Sequence, residues 1–151
     1  MPEKETVERA REDAREGKSP STQAAEFVRE EMHHVREGKH GAASTKQAIA
    51  IVLSKARRAG VKLQAPRRGR TSSNTRNKAE QDYRKGQSHS RREPSKTRSR
   101  DILKALKRKG HTAASQASLS RQARNASGRR SAASRHNAAM KASRTRNRAK
   151  K

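Results

Sequence analysis

Ser19-Pro20-Ser21-Thr22-Gln23-Ala24-Ala25-Glu26-Phe27-Val28-Arg29-Glu30-Glu31-Met32-His33-His34-Val35-Arg36-Glu37-Gly38 carries the clearest fold signal in the chain. Ser19 is a helix-capping residue, and Pro20 suits the first helical position, where its missing N–H is not needed. Gly38 supplies a stop. Between them Ala24, Val28, Met32 and Val35 recur at spacings of four, four and three, with Ala25 and Phe27 beside them. That is one stripe of an amphipathic helix, expected over residues 20–37.

Downstream, the loop Gly38-Lys39-His40-Gly41-Ala42-Ala43 leads to Ser44, and Gln47 three residues on completes a capping-box pattern. Ala48, Ile49, Val52, Leu53 and Ala56 give a helix over 45–59 its apolar face. Gly60 offers a left-handed end, which places Val61 to fold back on the last turn. The two helices are expected to pack as a hairpin. Upstream, residues 6–16 are mixed in charge, helical in propensity and ended by Gly17.

Beyond Val61 the composition changes. Residues 1–61 hold 12 Lys/Arg and 10 Asp/Glu, whereas residues 62–151 hold 28 Lys/Arg against only Glu80, Asp82, Glu93 and Asp101. The whole chain of 151 residues carries a net charge of +26, a surplus that opposes compactness unless a polyanion neutralises it. Leu, Ile, Val and Phe total 14 of 151 residues, far below the roughly 20% under which highly charged chains fall in the disordered range. The expected fold class is therefore all-α, with an N-terminal helical hairpin module over 1–61 followed by a largely disordered, conditionally helical Arg-rich tail. In that polycationic low-complexity arm, 62–151, weak helices are expected at about 74–85, 100–109, 113–127 and 131–147, marginal in isolation. A faint repeat pairs His40-Gly41-Ala42-Ala43-Ser44 with His111-Thr112-Ala113-Ala114-Ser115, consistent with a duplicated helix–loop–helix or with chance in biased sequence.

Cysteine is absent, which removes disulfides, thiol catalysis and Cys-type zinc sites. The opening residues alternate acids and bases without an apolar run, so no signal peptide is expected, and no stretch approaches a membrane span. The expected location is cytoplasmic, with nucleoid association, and without membrane insertion.

The block Arg15-Glu16-Gly17-Lys18-Ser19-Pro20-Ser21-Thr22-Gln23-Ala24, then Val28-Arg29-Glu30-Glu31 and Arg36-Glu37-Gly38-Lys39-His40-Gly41, is followed by Ser44-Thr45-Lys46-Gln47-Ala48-Ile49-Ala50-Ile51 and Leu53-Ser54-Lys55-Ala56-Arg57-Arg58-Ala59-Gly60-Val61. Together these resemble a family of small basic bacterial proteins of uncharacterised function, some labelled plasmid stabilisation protein. The resemblance covers roughly the first 65 residues and, in general character, the basic tail. Val52 departs from it, standing where that family suggests Gly. The resemblance implies a bacterial origin and a cytosolic or nucleoid setting, and it carries over no chemistry.

The candidate nucleic-acid-binding residues are basic clusters. Lys55, Arg57 and Arg58 close the second helix of the hairpin. Arg67, Arg68 and Arg70 follow, then Arg91, Arg92, Lys96, Arg98 and Arg100, and then Lys104, Lys107, Arg108 and Lys109. Arg121, Arg124, Arg129, Arg130 and Arg135 continue the series to Lys141, Arg144, Arg146, Arg148, Lys150 and Lys151. Arg outnumbers Lys 25 to 15, which suits fork-like contact with phosphate oxygens. With Phe27 and Tyr83 the only aromatics, no platform exists for stacking unpaired bases. The expectation is non-enzymatic, largely sequence-independent binding to phosphate backbones, DNA ahead of RNA, in a nucleoid-associated or plasmid-maintenance role, with self-association through the hairpin.

Two alternatives stand beside it. One is a disordered stress-related or structural protein whose charge serves solubility. The other is a sequence-specific helix-turn-helix, although Gly38 to Ser44 exceeds the usual turn. His33, His34, Glu37 and His40 suggest metal ligands only loosely, with no HExxH. Exposed or loop-capping histidines, and no cofactor or metal, are expected. No phosphate-cradling Gly loop or nucleophile elbow is present, so no catalytic residue is expected.

Overall fold

Helices are the only regular elements among the described residues. This computed structural model describes residues 2–88 and 95–148. In chain order the elements are α1 (Lys4–Arg15), α2 (Pro20–Arg36), α3 (Thr45–Arg58), α4 (Ser73–Gln87), α5 (Lys96–Lys107), a 3-10 turn (Thr112–Ala114), α6 (Gln116–Gly128) and α7 (Ala132–Arg148). The chain divides into two compact units, Met1–Ser115 and Gln116–Lys151.

The expected punctuation operates. Ser19 Oγ accepts the Thr22 N–H at 3.3 Å, and Ser44 Oγ accepts the Gln47 N–H at 3.2 Å. Gln47 reaches back one residue further than a standard capping box, taking the Ala43 N–H at 2.7 Å. Gly17, Gly38 and Gly60 adopt φ of 72°, 74° and 101°, the left-handed conformation that ends each helix. After Gly60 the Val61 N–H returns to the Ala56 carbonyl at 3.1 Å, and Val61 joins the core.

α2 packs on both α1 and α3, so the hairpin is present with α1 laid along it. The core is small: Ala10, Ala24, Phe27, Val52, Ala56 and Val61, flanked by Val7, Val28, Ala59 and Leu63. The buried stripe of α2 differs in part from the expected one. Ala24, Met32 and Val35 of the expected stripe are buried, and Phe27 and Glu31 are buried with them, whereas Val28 is half-buried and Ala25 exposed. Glu31 is fully buried, at 0% exposure.

The largely disordered tail is not what the structure contains. α4 docks on α3 through small and charged groups rather than large apolar ones. Ala79 and Asp82 are buried, and Asp82 accepts from Ser54 Oγ at 2.6 Å and Arg58 Nε at 2.6 Å. Near the end of α4, a Cβ on Gly86 would overlap the Arg57 carbonyl oxygen, so only glycine permits this backbone approach.

The compact unit therefore runs well past Val61. Its last piece is the 3-10 turn, which packs against α2 and α3. Thr45 Oγ1 donates to the Ala113 carbonyl at 2.7 Å, and Arg36 Nε donates to the Ala114 carbonyl at 3.0 Å. Gly41 and Ala42 donate their N–H groups to the carbonyls of Leu106 and Gly110 at 3.0 and 3.1 Å. The two copies of the faint repeat thus face each other in one unit. α5 is amphipathic but leaves Ile102 54% and Leu103 42% exposed.

In the second unit α6 and α7 are helical with no buried residue. Alanine-rich composition favours the helix without tertiary cover. These segments depart from the expectation of disorder through local propensity, whereas α4 does so through docking.

Candidate nucleic-acid interface

Two of the hairpin bases, Lys55 and Arg57, are engaged inside the fold, which withdraws them from the expected phosphate contacts. Lys55 projects from α3 onto the buried Glu31 of α2, its Nζ bonded to Glu31 Oε2. Arg57 is only 6% exposed, and its Nε and Nη2 donate to the carbonyls of Leu63 and Gln64 at 3.0 and 3.3 Å. Burial pushes the Arg57 guanidinium below its ordinary range, and the nearby Asp82 carboxylate partly opposes that. Arg58 keeps solvent contact but pairs with Asp82. These groups hold α3 to its neighbours. Position on the apolar stripe was the available signal, since Glu31 lies midway between Phe27 and Val35 at spacings of four.

A charge removed from a buried pair leaves its partner uncompensated, a loss of about 3–5 kcal/mol for fully buried pairs. Lys55 retains 24% side-chain exposure, so Lys55→Met is expected to destabilise the fold by about 2 kcal/mol in urea denaturation. Glu31→Gln in the same chain should recover part of that loss, because the orphaned charge is then gone.

Several acids of the first unit meet a base. Glu26 meets Arg9 and Arg29, Asp13 and Glu16 meet Lys18, and Glu80 meets Arg76. The two carboxylates raise the Lys18 ammonium well above its usual range through hydrogen bonds. His34 and Lys39 hold the Glu3 carboxyl low, the His34 hydrogen bond first, against a desolvation that raises it.

The remaining expected bases among the described residues are on the surface. Arg67, Arg68 and Arg70 are exposed in the segment between α3 and α4. On α5, Lys96, Arg100, Lys104 and Lys107 follow one another at spacings of four, four and three, one exposed basic face, while Arg98 lies opposite. Arg108 and Lys109 continue past its end.

Arg121 and Arg124 share one face of α6, and Arg129 and Arg130 occupy the turn after it. Arg135, Lys141, Arg144, Arg146 and Arg148 are distributed around α7. None of these named surface bases pairs with a carboxylate among the described residues. Residues 116–148 contain nine Lys/Arg and no Asp or Glu, and all nine are exposed. Arg91 and Arg92 lie outside the described residues, as do Lys150 and Lys151.

Phe27 is 1% exposed, which withdraws it from any stacking role. On α3, the helix that would read bases in a helix-turn-helix, Lys55 and Arg57 are engaged internally, leaving Lys46 as its free exposed base. The histidines divide. His33 is exposed as expected, but His34 is half-buried and His40 is 7% exposed. No helix among the described residues is long and apolar enough to cross a membrane. Compared with protein-family models, curated proteins and solved structures, the chain has no match.

Proposed function

We propose that the chain is a non-enzymatic binder of double-stranded nucleic acid, DNA ahead of RNA, that engages phosphate backbones with little regard to sequence. The observation that supports this reading most is the run of nine exposed, carboxylate-free bases over 116–148 in the second unit; the first unit separately carries the basic face of α5. Each phosphate neutralised by Lys or Arg releases condensed counterion, a drive that requires neither a pocket nor a base-reading helix. Bases spread around α7 suit a polyanion that wraps or crosses the helix better than a flat patch would. A nucleoid-associated or plasmid-maintenance role in a bacterial cytoplasm fits both this chemistry and the resemblance of the first 65 residues.

Fluorescence anisotropy with duplexes of unrelated sequence, titrated across salt, tests the proposal. The expected result is one affinity for all duplexes and a linear decline of log affinity with log salt, its slope counting the phosphates engaged. Absence of binding at about 50 mM salt would exclude this mode, because electrostatic association is strong there. A solubility role for the charge would then be the better account.

A further inference from the structure

α2 ends beside a cluster that the basic surface does not use. Glu31 and His34 are separated by three residues and so share one helical face. Gly38, at φ 74°, turns the chain back after the helix, and His40 returns against that face. The Glu31 side chain is 1% exposed and that of His40 9%. Glu31 Oε2 is held by Lys55, while Oε1 is buried and has no hydrogen-bond partner among the described residues.

His40 Nε2 stands 3.6 Å from this oxygen, beyond good hydrogen-bonding distance. On the other side of the ring, Nδ1 faces the Gly41 carbonyl at 3.4 Å, which as an acceptor requires the proton on Nδ1. With the ring neutral, the lone pair of Nε2 confronts the unpartnered Glu31 oxygen in a nearly dry place. Two acceptors in that position repel unless a cation stands between them.

Two donors on one tetrahedral zinc, with bonds of about 2.0–2.1 Å, are themselves separated by about 3.3 Å, close to the spacing here. The third donor is at hand. One ligand atom from each of Glu31, His34 and His40 lies within 4.8 Å of the other two. The His34 and His40 rings meet edge to face with centroids 6.1 Å apart. Glu3 Oε1 takes His34 Nε2 at 2.8 Å, the carboxylate–imidazole arrangement that orients metal-binding histidines. Glu30, whose buried Oε2 also lacks a partner among the described residues, adds negative charge alongside.

We propose that Glu31, His34 and His40 form a site for one divalent transition-metal ion of the zinc class. Two imidazoles and a carboxylate favour zinc over magnesium or calcium, which take oxygen ligands. A fourth position is left for water or the Glu30 carboxylate. The ion would tie the end of α2 to the 38–43 loop, whose Gly41 and Ala42 in turn hold the carbonyls of Leu106 and Gly110. Its role is structural.

The test uses the untagged full-length chain, stripped of nucleic acid and of metal. Zinc chloride is titrated by calorimetry and cobalt(II) by its visible spectrum. One ion per chain is expected, with the strong absorption of tetrahedral cobalt and no competition from magnesium. Zinc should raise the melting temperature by about 5–10 °C, reversed by chelator. His34→Ala and His40→Ala should each weaken binding at least about 10-fold, and the exposed His33→Ala should leave it unchanged.

Should either Ala variant fail to fold, the wild-type histidine NMR signals decide: those of His34 and His40 should shift with zinc while that of His136 does not. No binding at micromolar zinc overturns the site. Binding that survives both substitutions, or shifts confined to other histidines, overturns it equally. Because nucleic acid is absent throughout, this result is independent of the binding proposed for the basic surface.

Discussion

Gly86→Ala is expected to destabilise the Met1–Ser115 unit by about 3 kcal/mol, a result opposite in sign to what helix propensity alone would give. Gly86 lies within α4, and alanine in a helix interior is favoured over glycine by about 1 kcal/mol. Here the added methyl would overlap the Arg57 carbonyl oxygen, with the Arg57 and Arg58 carbonyl carbons close behind. All three are backbone atoms of a packed helix, so no flexible side-chain tip can swing aside. α4 must therefore separate from α3, which weakens the Asp82 bonds to Ser54 and Arg58 and the Gln87 bond to the Gly60 carbonyl. A fall in melting temperature of about 10 °C or more should register this. Gly128→Ala is the matched control: nothing lies within 4 Å of a Cβ there, and α6 should gain up to about 1 kcal/mol of helix stability. Equal, small effects at both positions would mean that α4 does not dock on α3.

Removal of Gln116–Lys151 is expected to lower duplex affinity by about 10³-fold at 0.1 M salt, while the remaining unit keeps its fold. The deleted segment carries 11 Lys/Arg and no acid. Should about five of these meet phosphates, the salt slope falls by about 4–5, since each contact contributes about 0.9. The first unit retains the basic face of α5 and the Arg67, Arg68 and Arg70 cluster, so weak, salt-sensitive binding persists. Its helicity should be intact by circular dichroism, because α1 to α4 and the 3-10 turn make their contacts with one another. Affinity unchanged by the deletion would move the interface to the first unit and make Lys46 and the α5 face the residues to examine.

The helix boundaries of the first 61 residues were legible because they are written in local chemistry. Ser19, Ser44, Gly17, Gly38 and Gly60 each act within a turn of their own position. Burial was less so. A reading that places charges at the surface puts Glu31, Lys55 and Arg57 outside, yet Glu31 and Lys55 pair between α2 and α3 and Arg57 is buried against the Leu63 and Gln64 carbonyls, tolerated because each meets an opposite charge or a carbonyl. For a related reason, α4 was legible as a helix over about 74–85 but not as a docked one. It has almost no apolar payload, and its docking depends on a glycine, an alanine and one aspartate, which look like loop composition until the facing carbonyl is known. The surface bases, in contrast, were readable as a set, since a segment without carboxylates has no internal partners for them.

The bonds from Thr45 to Ala113 and from Arg36 to Ala114 join residues 68 and 78 apart in the chain. Closing such long loops is entropically costly and slow compared with forming the hairpin itself. During synthesis the Thr45 hydroxyl and the Arg36 guanidinium therefore wait without these partners until residue 114 has cleared the ribosome. A product terminated earlier, by a broken message or a stalled ribosome, keeps that seam open and offers proteases an entry that the finished chain has closed.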